Sequence, residues 1–257
     1  MNIFVCVKQV PDTEAALIVK DGKAINEDNI KWIVNPYDEY AIEEAIKLKE
    51  IVEDSTLTVL TLGPKRAESA LRTALAMGAD SALHIETDDY LDSKSLGKAL
   101  ANAIKKNDDL GLVFMGKQAI DDDSFLTHTY TAENLNIGVA TNVISFEYSN
   151  EKIMVEREID NGAKEKIEMD SPCIIGATKG LNTPRYPSLM GMMKAKKKPI
   201  TKLSLEDVGI SSIDNKLIPN KLFSPPEKIK TAKIFEGDLK NSVKELVDLL
   251  KNEAKVL

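Results

Sequence analysis

Apolar positions in the first half of the chain follow two alternating patterns. Residues 2–8, 55–62, 81–85 and 110–115 are short apolar or alternating runs bounded by turn residues, which predicts strands. The run before Gly116, Leu-Gly-Leu-Val-Phe-Met, suits a strand covered on both faces. Between these runs three sets recur at helical spacing. They are Ala41, Ile42, Ala45, Ile46 and Leu48; Ala67, Ala70, Leu71, Ala74 and Leu75; and Leu96, Ala99, Leu100, Ala103 and Ile104. The small residues of the second set allow close approach to a sheet. Asn35 is placed to cap the first helix, Pro36 suits its first position, and Asp38 favours the positive end of its dipole. Gly63-Pro64 opens the second helix and Gly78 closes it. Strands alternating with amphipathic helices imply an α/β fold with a doubly wound, mainly parallel, Rossmann-like sheet. One insertion interrupts the alternation: residues 16–20 and 24–26 flank Asp21-Gly22, a hairpin signal.

Beyond Gly138 the pattern becomes an antiparallel hairpin extension. Residues 139–148, 152–159 and 163–169 read as strands with Asn161-Gly162 as a turn, and residues 172–177 return to a buried strand. Gly180, Pro184 and Pro187 then break regular structure from Thr178 to Met190. Leu181 in this loop either anchors a partner or packs inward. Residues 208–235 are polar, hold Pro219, Pro225 and Pro226, and read as an extended arm. A closing helix carries the stripe Leu239, Val243, Leu246, Val247 and Leu250, which must be buried somewhere, as on another subunit. The expected organisation is an α/β domain over residues 1–207 and a C-terminal arm and helix over residues 208–257.

In open sheets of this class ligands bind outside the carboxyl ends of the strands. Four loops fall there: residues 6–12, 35–38, 62–64 and 116–127. The last is the richest in chemistry. Gly116 permits close backbone approach, Gln118 can read an amide or a base edge, and Asp121, Asp122 and Asp123 require N–H donors or water. Ser124 is an N-cap residue, so the Thr-rich stretch after it is expected to be a helix whose free amides and dipole favour an anion. An ordinary acidic surface turn explains the same composition. Convergence of the four loops is what points to a nucleotide site.

Charge and composition narrow the classes. A net charge of −7 and a pI near 5.1 argue against a nucleic-acid partner, and the low aromatic content argues against a base-stacking platform. Cys6 and Cys173 lie in apolar runs without pairing or metal spacing, as expected of small core hydrophobes in a reducing compartment. His84 reads as structural, whereas His128, close to the acidic loop, stays open. No run has the length of a membrane span, and Met1 leads directly into a strand without a signal-peptide pattern. A cytoplasmic chain that is not membrane-embedded is expected. Lys194, Lys196, Lys197 and Lys198 form a basic patch in an acidic chain, either a solvated face or a steering surface for an acidic partner.

Several ordered segments together resemble the beta subunit of electron transfer flavoprotein, essentially end to end. They are Val7-Lys8-Gln9-Val10, Asn35-Pro36 with residues 41–45, residues 72–80, Gly116 to Asp123, residues 155–160, Leu181-Asn182 with Pro184-Arg185-Tyr186, and residues 194–198. The resemblance implies a partner alpha subunit carrying the redox-active FAD. It also implies electrons arriving from donor dehydrogenases, commonly acyl-CoA dehydrogenases, and leaving toward a membrane quinone reductase, without catalysis on this subunit. In the ordinary branch the beta subunit holds a structural AMP, and in the electron-bifurcating branch a second FAD occupies the same site. By position, the family's nucleotide contacts fall on Cys6, on Asn35, Pro36, Tyr37 and Asp38, and on Leu62. They continue on Gly116, Lys117, Gln118, Ala119, Ile120, Asp121, Asp122, Asp123, Ser124, Phe125, Leu126 and Thr127. The partner-recognition leucine falls on Leu181, a docking glutamate on Glu158, and the basic run on Lys194 to Lys198.

One segment departs from the pattern. Phe125-Leu126-Thr127-His128 stands where the ordinary branch reads Asn-Gln-Thr-Gly, so His128 replaces a glycine where phosphate approaches. Asp122 stands where the bifurcating branch has a roomier glycine, which favours AMP. A nucleotide-using enzyme of similar topology is a poorer match, since neither a Gly-x-x-x-x-Gly-Lys-Ser/Thr run nor a Ser-Gly-Gly loop occurs. A plain adenine-nucleotide sensor module leaves the C-terminal arm and the Leu181 loop unexplained.

Overall fold

A computed structural model describes residues 1–149, 152–226 and 232–257. The apolar runs and stripes form the expected alternation. In chain order the elements are β1 (Asn2–Cys6), β2 (Gln9–Pro11), β3 (Val19–Lys20), β4 (Ala24–Ile25), β5 (Trp32–Val34), α1 (Pro36–Ile51), β6 (Thr56–Gly63), α2 (Glu68–Met77), β7 (Ser81–Glu86), α3 (Ser93–Ile104), β8 (Leu110–Gly116) and α4 (Thr127–Leu135). There follow β9 (Gly138–Ser149), β10 (Lys152–Glu158), β11 (Lys164–Asp170), β12 (Cys173–Ala177), α5 (Leu189–Ala195), β13 (Ile200–Leu203) and α6 (Leu239–Asn252).

Nine strands build one sheet in the order β11-β10-β9-β12-β8-β1-β6-β7-β13. All neighbours from β9 to β13 pair in parallel, while β10 is antiparallel to both β9 and β11. The small residues of α1 and α2 (Ala41, Ala45, Ala70, Ala74) cover one face together with Ile3, Val5 and Phe114, and α3 and α4 cover the other over Phe4, Leu60 and Val113. Both faces of β1 and β8 are therefore buried, the reason their sequences are unbroken apolar runs. Chain order reverses at β1: α1 leads to β6 on one side, and α3 leads to β8 on the other. That reversal opens a crevice at the carboxyl ends of β1 and β8.

Antiparallel β9, β10 and β11 form the extension, with Asn161 and Gly162 at φ 61° and 72° in the turn. The inserted hairpin is β3 paired with β4, and a further antiparallel pair, β2 with β5, closes the base of the insertion. Arg66 holds this insertion down: its guanidinium stacks 3.5 Å from the Trp32 ring centre, donates 2.8 Å to Gln9 Oε1, and pairs with Glu27 at 3.1 Å.

Several expectations shift. Gly63-Pro64 leads first into a short 3-10 turn, Lys65–Ala67, before α2 begins. The end of the Thr178–Met190 loop is already helical, because Ser188 caps α5 by accepting from Gly191 N at 3.0 Å. Residues 208–217 are not a free arm: Val208 and Ile210 are core side chains, and Asp92 accepts the amides of Lys216 and Leu217 at 2.6 and 3.1 Å. Contacts divide the chain into a unit over Met1–Lys221 and a unit over Leu222–Leu257. The expected arm includes residues 227–231, which lie outside the described residues. In the second unit Asp238 caps α6 through Asn241 N at 3.2 Å, and Val243, Leu246 and Val247 on its apolar stripe are exposed. Among the described residues no helix is long and apolar enough to cross a membrane.

Candidate functional site

The four loops meet at the carboxyl ends of β6, β1 and β8, and two side chains of the α1 N-terminus join them. Asp38 is buried, and its carboxylate accepts Lys8 N at 2.7 Å and Gly116 N at 3.1 Å. Asn35, also buried, donates from Nδ2 to Asp38 Oδ1 at 2.9 Å and to the Gln118 carbonyl at 2.8 Å, while its Oδ1 accepts Ile120 N at 3.2 Å. Its own backbone N–H donates to the Lys8 carbonyl at 2.9 Å. Asn35 occupies the N-cap position yet makes no side-chain cap bond, so the capping role expected of it is corrected. The amide is spent on the neighbouring loop instead. From the β6 side Thr61 Oγ1 donates to the Val7 carbonyl at 2.7 Å, and Gln9 Nε2 donates to the Arg66 carbonyl at 2.9 Å.

Gly116 is required by this arrangement. A Cβ there would fall within the contact distance of Asp38 Oδ1 and 2.9 Å from the Tyr37 carbonyl carbon. Pro36 and Tyr37 begin α1 beside it, and Tyr37 has the Lys117 ammonium 5.0 Å from its ring centre. Cys6 ends β1 as a buried core side chain with its thiol pushed up by burial and then by the Asp38 charge, and Leu62 is partly buried on the same face. These two can offer a ligand mainly backbone.

The acidic triplet is paired rather than free. Lys8 Nζ lies 2.7 Å from Asp121 and 3.0 Å from Asp122. Burial would lower the Lys8 ammonium, but both carboxylates outweigh it and hold it up. Asp122 is kept low although burial opposes this, by the Lys8 charge and by Ser124 N at 3.0 Å. Asp123 accepts Gln118 Nε2, leaving Gln118 Oε1 buried without a partner. Asp123 and Phe125 adopt left-handed backbone at φ 47° and 56°. Ser124 does not cap a helix, contrary to expectation: α4 starts at Thr127 after Leu126, and Ser124 instead belongs to the turn made by Asp122. Ala119 accepts Asp123 N at 2.9 Å, which tightens the loop into a compact turn.

His128 lies on the second helical position of α4, buried, with its ring edge facing Gly176 of β12. Burial lowers its pKa against the opposing Lys117 backbone, so the imidazole is neutral near pH 7. It lines, with Lys117, Phe125, Asn142, Arg157 and Glu158, a cavity of about 440 Å³ on the β9 side of the loop. Glu158 is exposed there, and its carbonyl accepts Asn142 Nδ2 at 2.8 Å. His84, in contrast, is a fully buried core residue with Nε2 3.0 Å from the Gly63 carbonyl and, among the described residues, Nδ1 without a partner.

The second group of expected residues lies along α5. Leu181 is half-buried against the core, whereas Tyr186 is 95% exposed, Leu189 78% and Met193 69%. The loop is held rigidly on both sides. Arg185 forks onto Glu43 at 2.8 and 3.0 Å and reaches Glu50 at 2.7 Å, and Asn182 donates to the Tyr40 carbonyl at 2.9 Å. Arg72 fixes the other end, donating to the carbonyls of Ala195 and Lys198 at 2.7 Å each. Lys194, Lys196 and Lys197 are exposed, while Lys198 turns in to the Ala79 carbonyl, where burial lowers its pKa. Sequence reasoning missed Lys8, Asp38 as a bridge, and the exposed Tyr186, Leu189, Met190 and Met193. The apolar run Leu-Met-Gly-Met-Met was the available signal for the last three.

Burial raises the Asp38 carboxyl to about 7 despite the lowering effect of Asn35, the Lys8 and Gly116 amides and the Lys8 charge. The folded state binds this proton more tightly than the unfolded chain does, so the contribution is full below about pH 4 and is lost as pH rises toward 7. Asp38→Asn should therefore flatten the pH dependence of unfolding free energy between pH 4 and 7, as measured by urea titrations. An unchanged slope would show that Asp38 does not titrate in that window.

The electron transfer flavoprotein domain matches residues 23–208. The chain is 42% identical over its full length to the whole of the electron transfer flavoprotein subunit beta of Bacillus subtilis, and 36% identical to that of Bradyrhizobium diazoefficiens, again over all of both chains. It is also 36% identical to the mitochondrial subunit beta of Arabidopsis thaliana, with both chains covered completely. With family match and full-length identity spanning every loop of the rim, the chain belongs to the electron transfer flavoprotein family as a beta subunit.

Proposed function

We propose that this beta subunit pairs with an alpha subunit that carries FAD. The heterodimer takes electrons from a donor dehydrogenase, of the acyl-CoA dehydrogenase type, and delivers them to a quinone reductase. Within this chain an AMP sits structurally at the rim of β6, β1 and β8. The observation that carries the nucleotide reading is the rim itself: four loops tied into one cradle, with Gln118 Oε1 left as a buried acceptor without a donor. An adenine amino group or a ribose hydroxyl supplies such a donor, and an unpaired buried acceptor otherwise costs about 1–3 kcal/mol. Pairing of Asp121 and Asp122 with Lys8 offsets one of the three carboxylate charges that the loop would offer a phosphate. Bound only by the folded state, the nucleotide stabilises by mass action and does no chemistry. The site in the partner is where the flavin exchanges electrons.

Donor docking is assigned to the loop that begins at Leu181. Tyr186, Leu189, Met190 and Met193 supply the exposed apolar surface, and Lys194, Lys196 and Lys197 the basic rim. Glu158, exposed at the end of β10, is assigned to partner docking and release. The chain works in the cytoplasm.

The co-expressed heterodimer, mixed with a reduced donor dehydrogenase, should show bleaching of the FAD absorbance. Tyr186→Ala with Leu189→Ala should raise the KM for the heterodimer by about 30-fold, the consequence of losing about 2 kcal/mol at a contact centre, and leave the FAD spectrum unaltered. Wild-type flavin that no donor dehydrogenase reduces would reject the carrier reading. A double variant with the parent's KM would move docking elsewhere.

A further inference from the structure

We propose that Asp38, together with Asn35, is a positioning residue: it fixes the relative placement of the loops after β1 and β8 at the nucleotide rim and does not itself touch the nucleotide. The proposal rests on the nucleotide reading above. Resemblance groups Asp38 with the ligand contacts, but its side chain has little surface left for a ligand, being 5% exposed with both oxygens engaged inside the protein.

Three segments distant in sequence end on those two oxygens. Oδ2 takes the Lys8 amide just past β1, Oδ1 takes the Gly116 amide at the end of β8, and Asn35 reaches Oδ1 from the start of α1. Asn35 extends the clasp two and four residues further along the loop, to the Gln118 carbonyl and the Ile120 amide. The parallel ladder joins β1 to β8 as far as Cys6 and Met115, and beyond it the relative placement of the two loops is tied to one carboxylate and one carboxamide. Gly116 completes the fit, since any side chain there would collide with Asp38. The crevice outside those two strand ends is where the chain order reverses, so the placement of the two loops decides what fits.

An acceptor-only group is what this spot requires. Two backbone donors and one amide donor point at it, and a carboxylate receives all three while a carboxamide cannot. Keeping it ionised is costly in a buried place, where burial favours the protonated form. Side chains retained against stability at a ligand rim are characteristic of function rather than folding. Asp38→Asn separates the two roles, because it keeps the volume, removes the buried charge and inserts a donor against a donor.

The test uses the heterodimer with its nucleotide removed and AMP added back. Asp38→Asn should hold its Tm at or above the parent's, exchange the Lys8 or Gly116 amide at least tenfold faster, and bind AMP at least tenfold more weakly by calorimetry. Asn35→Ala should speed exchange at Ile120 and weaken AMP similarly, an independent check on the same clasp. Parental AMP affinity with parental exchange in both variants would overturn it. So would a large fall in Tm for Asp38→Asn, since that is the signature of a purely structural carboxylate. If the parent itself binds no AMP, the nucleotide reading falls separately. Exchange at Lys8 and Gly116 then decides the clasp alone, acceleration at constant Tm supporting it and parental rates refuting it.

Discussion

Gly116→Ala should destabilise the chain by about 2 kcal/mol and strip the nucleotide rim of its ligand. A methyl at that position lies inside the contact distance of the Asp38 carboxylate and 2.9 Å from Tyr37 backbone and Cβ. Neither obstacle yields easily. Tyr37 is in the first turn of α1, and Asp38 is held by Lys8, Asn35 and Gly116 itself. Overpacking against backbone costs about 1–3 kcal/mol, and the chain relieves it by moving the β8 loop away from α1. That movement breaks the Gly116-to-Asp38 bond and drags Gln118 and Ile120 from Asn35. For a chain of this size the cost lowers Tm by about 4–8 °C. Differential scanning fluorimetry of the purified complex, with the nucleotide content measured on the same sample, checks both parts. A variant with the parent's Tm and full nucleotide would mean that the crevice is slack.

Leu246→Asp combined with Val247→Asp should dissociate the beta subunit from its alpha partner. Both side chains are exposed on α6, whose apolar stripe repeats at helical spacing with no cover inside its own unit. The helix itself should persist, since Asp238 still caps it and Lys233 still pairs with Glu245 at 2.7 Å. Burying two such side chains against a partner contributes about 1.5–3 kcal/mol each. Their loss therefore weakens association by roughly 10²–10⁴-fold, before counting the cost of facing a carboxylate toward an apolar partner. Size exclusion of co-expressed subunits decides the matter. Separate elution of the variant chains is the expected result, and an intact heterodimer would show that α6 is not part of the interface.

How far the sequence could be read depended on the range of the interaction that fixes each feature. The core of the sheet was legible because burial on both faces writes itself as unbroken runs such as Ile3 to Val7 and Leu112 to Met115. The Asn161-Gly162 turn was legible because left-handed backbone demands those residues locally. β13 was not: Ile200 to Leu203 is short, half polar and on the sheet edge, and becomes a strand only by pairing with β7. α5 was hidden by the prolines preceding it, although Ser188 carried a capping signal. Asn35 and Ser124 were both read as caps from local chemistry. In the folded chain their bonds go elsewhere, Asn35 to a loop more than eighty residues away and Ser124 to the turn beside it. Candidate-site loops were legible as a set from the order of strands and helices. That the side chains of Asp38 and Asn35 bridge two of those loops could not be read, because nothing local says that β1 and β8 lie side by side. Lys8 shows the same limit: its partners Asp121 and Asp122 are adjacent only after the sheet has formed.

The most direct measurement is a count of nucleotides released from the purified alpha–beta complex by acid, separated by chromatography and referred to protein concentration. One FAD and one AMP for each heterodimer is the expected result, the FAD assigned to the alpha subunit and the AMP to the rim described above. Two FAD per heterodimer would contradict the structural-AMP reading and put a second flavin at the rim. FAD without any adenine mononucleotide would leave the rim without a resident and refute it outright.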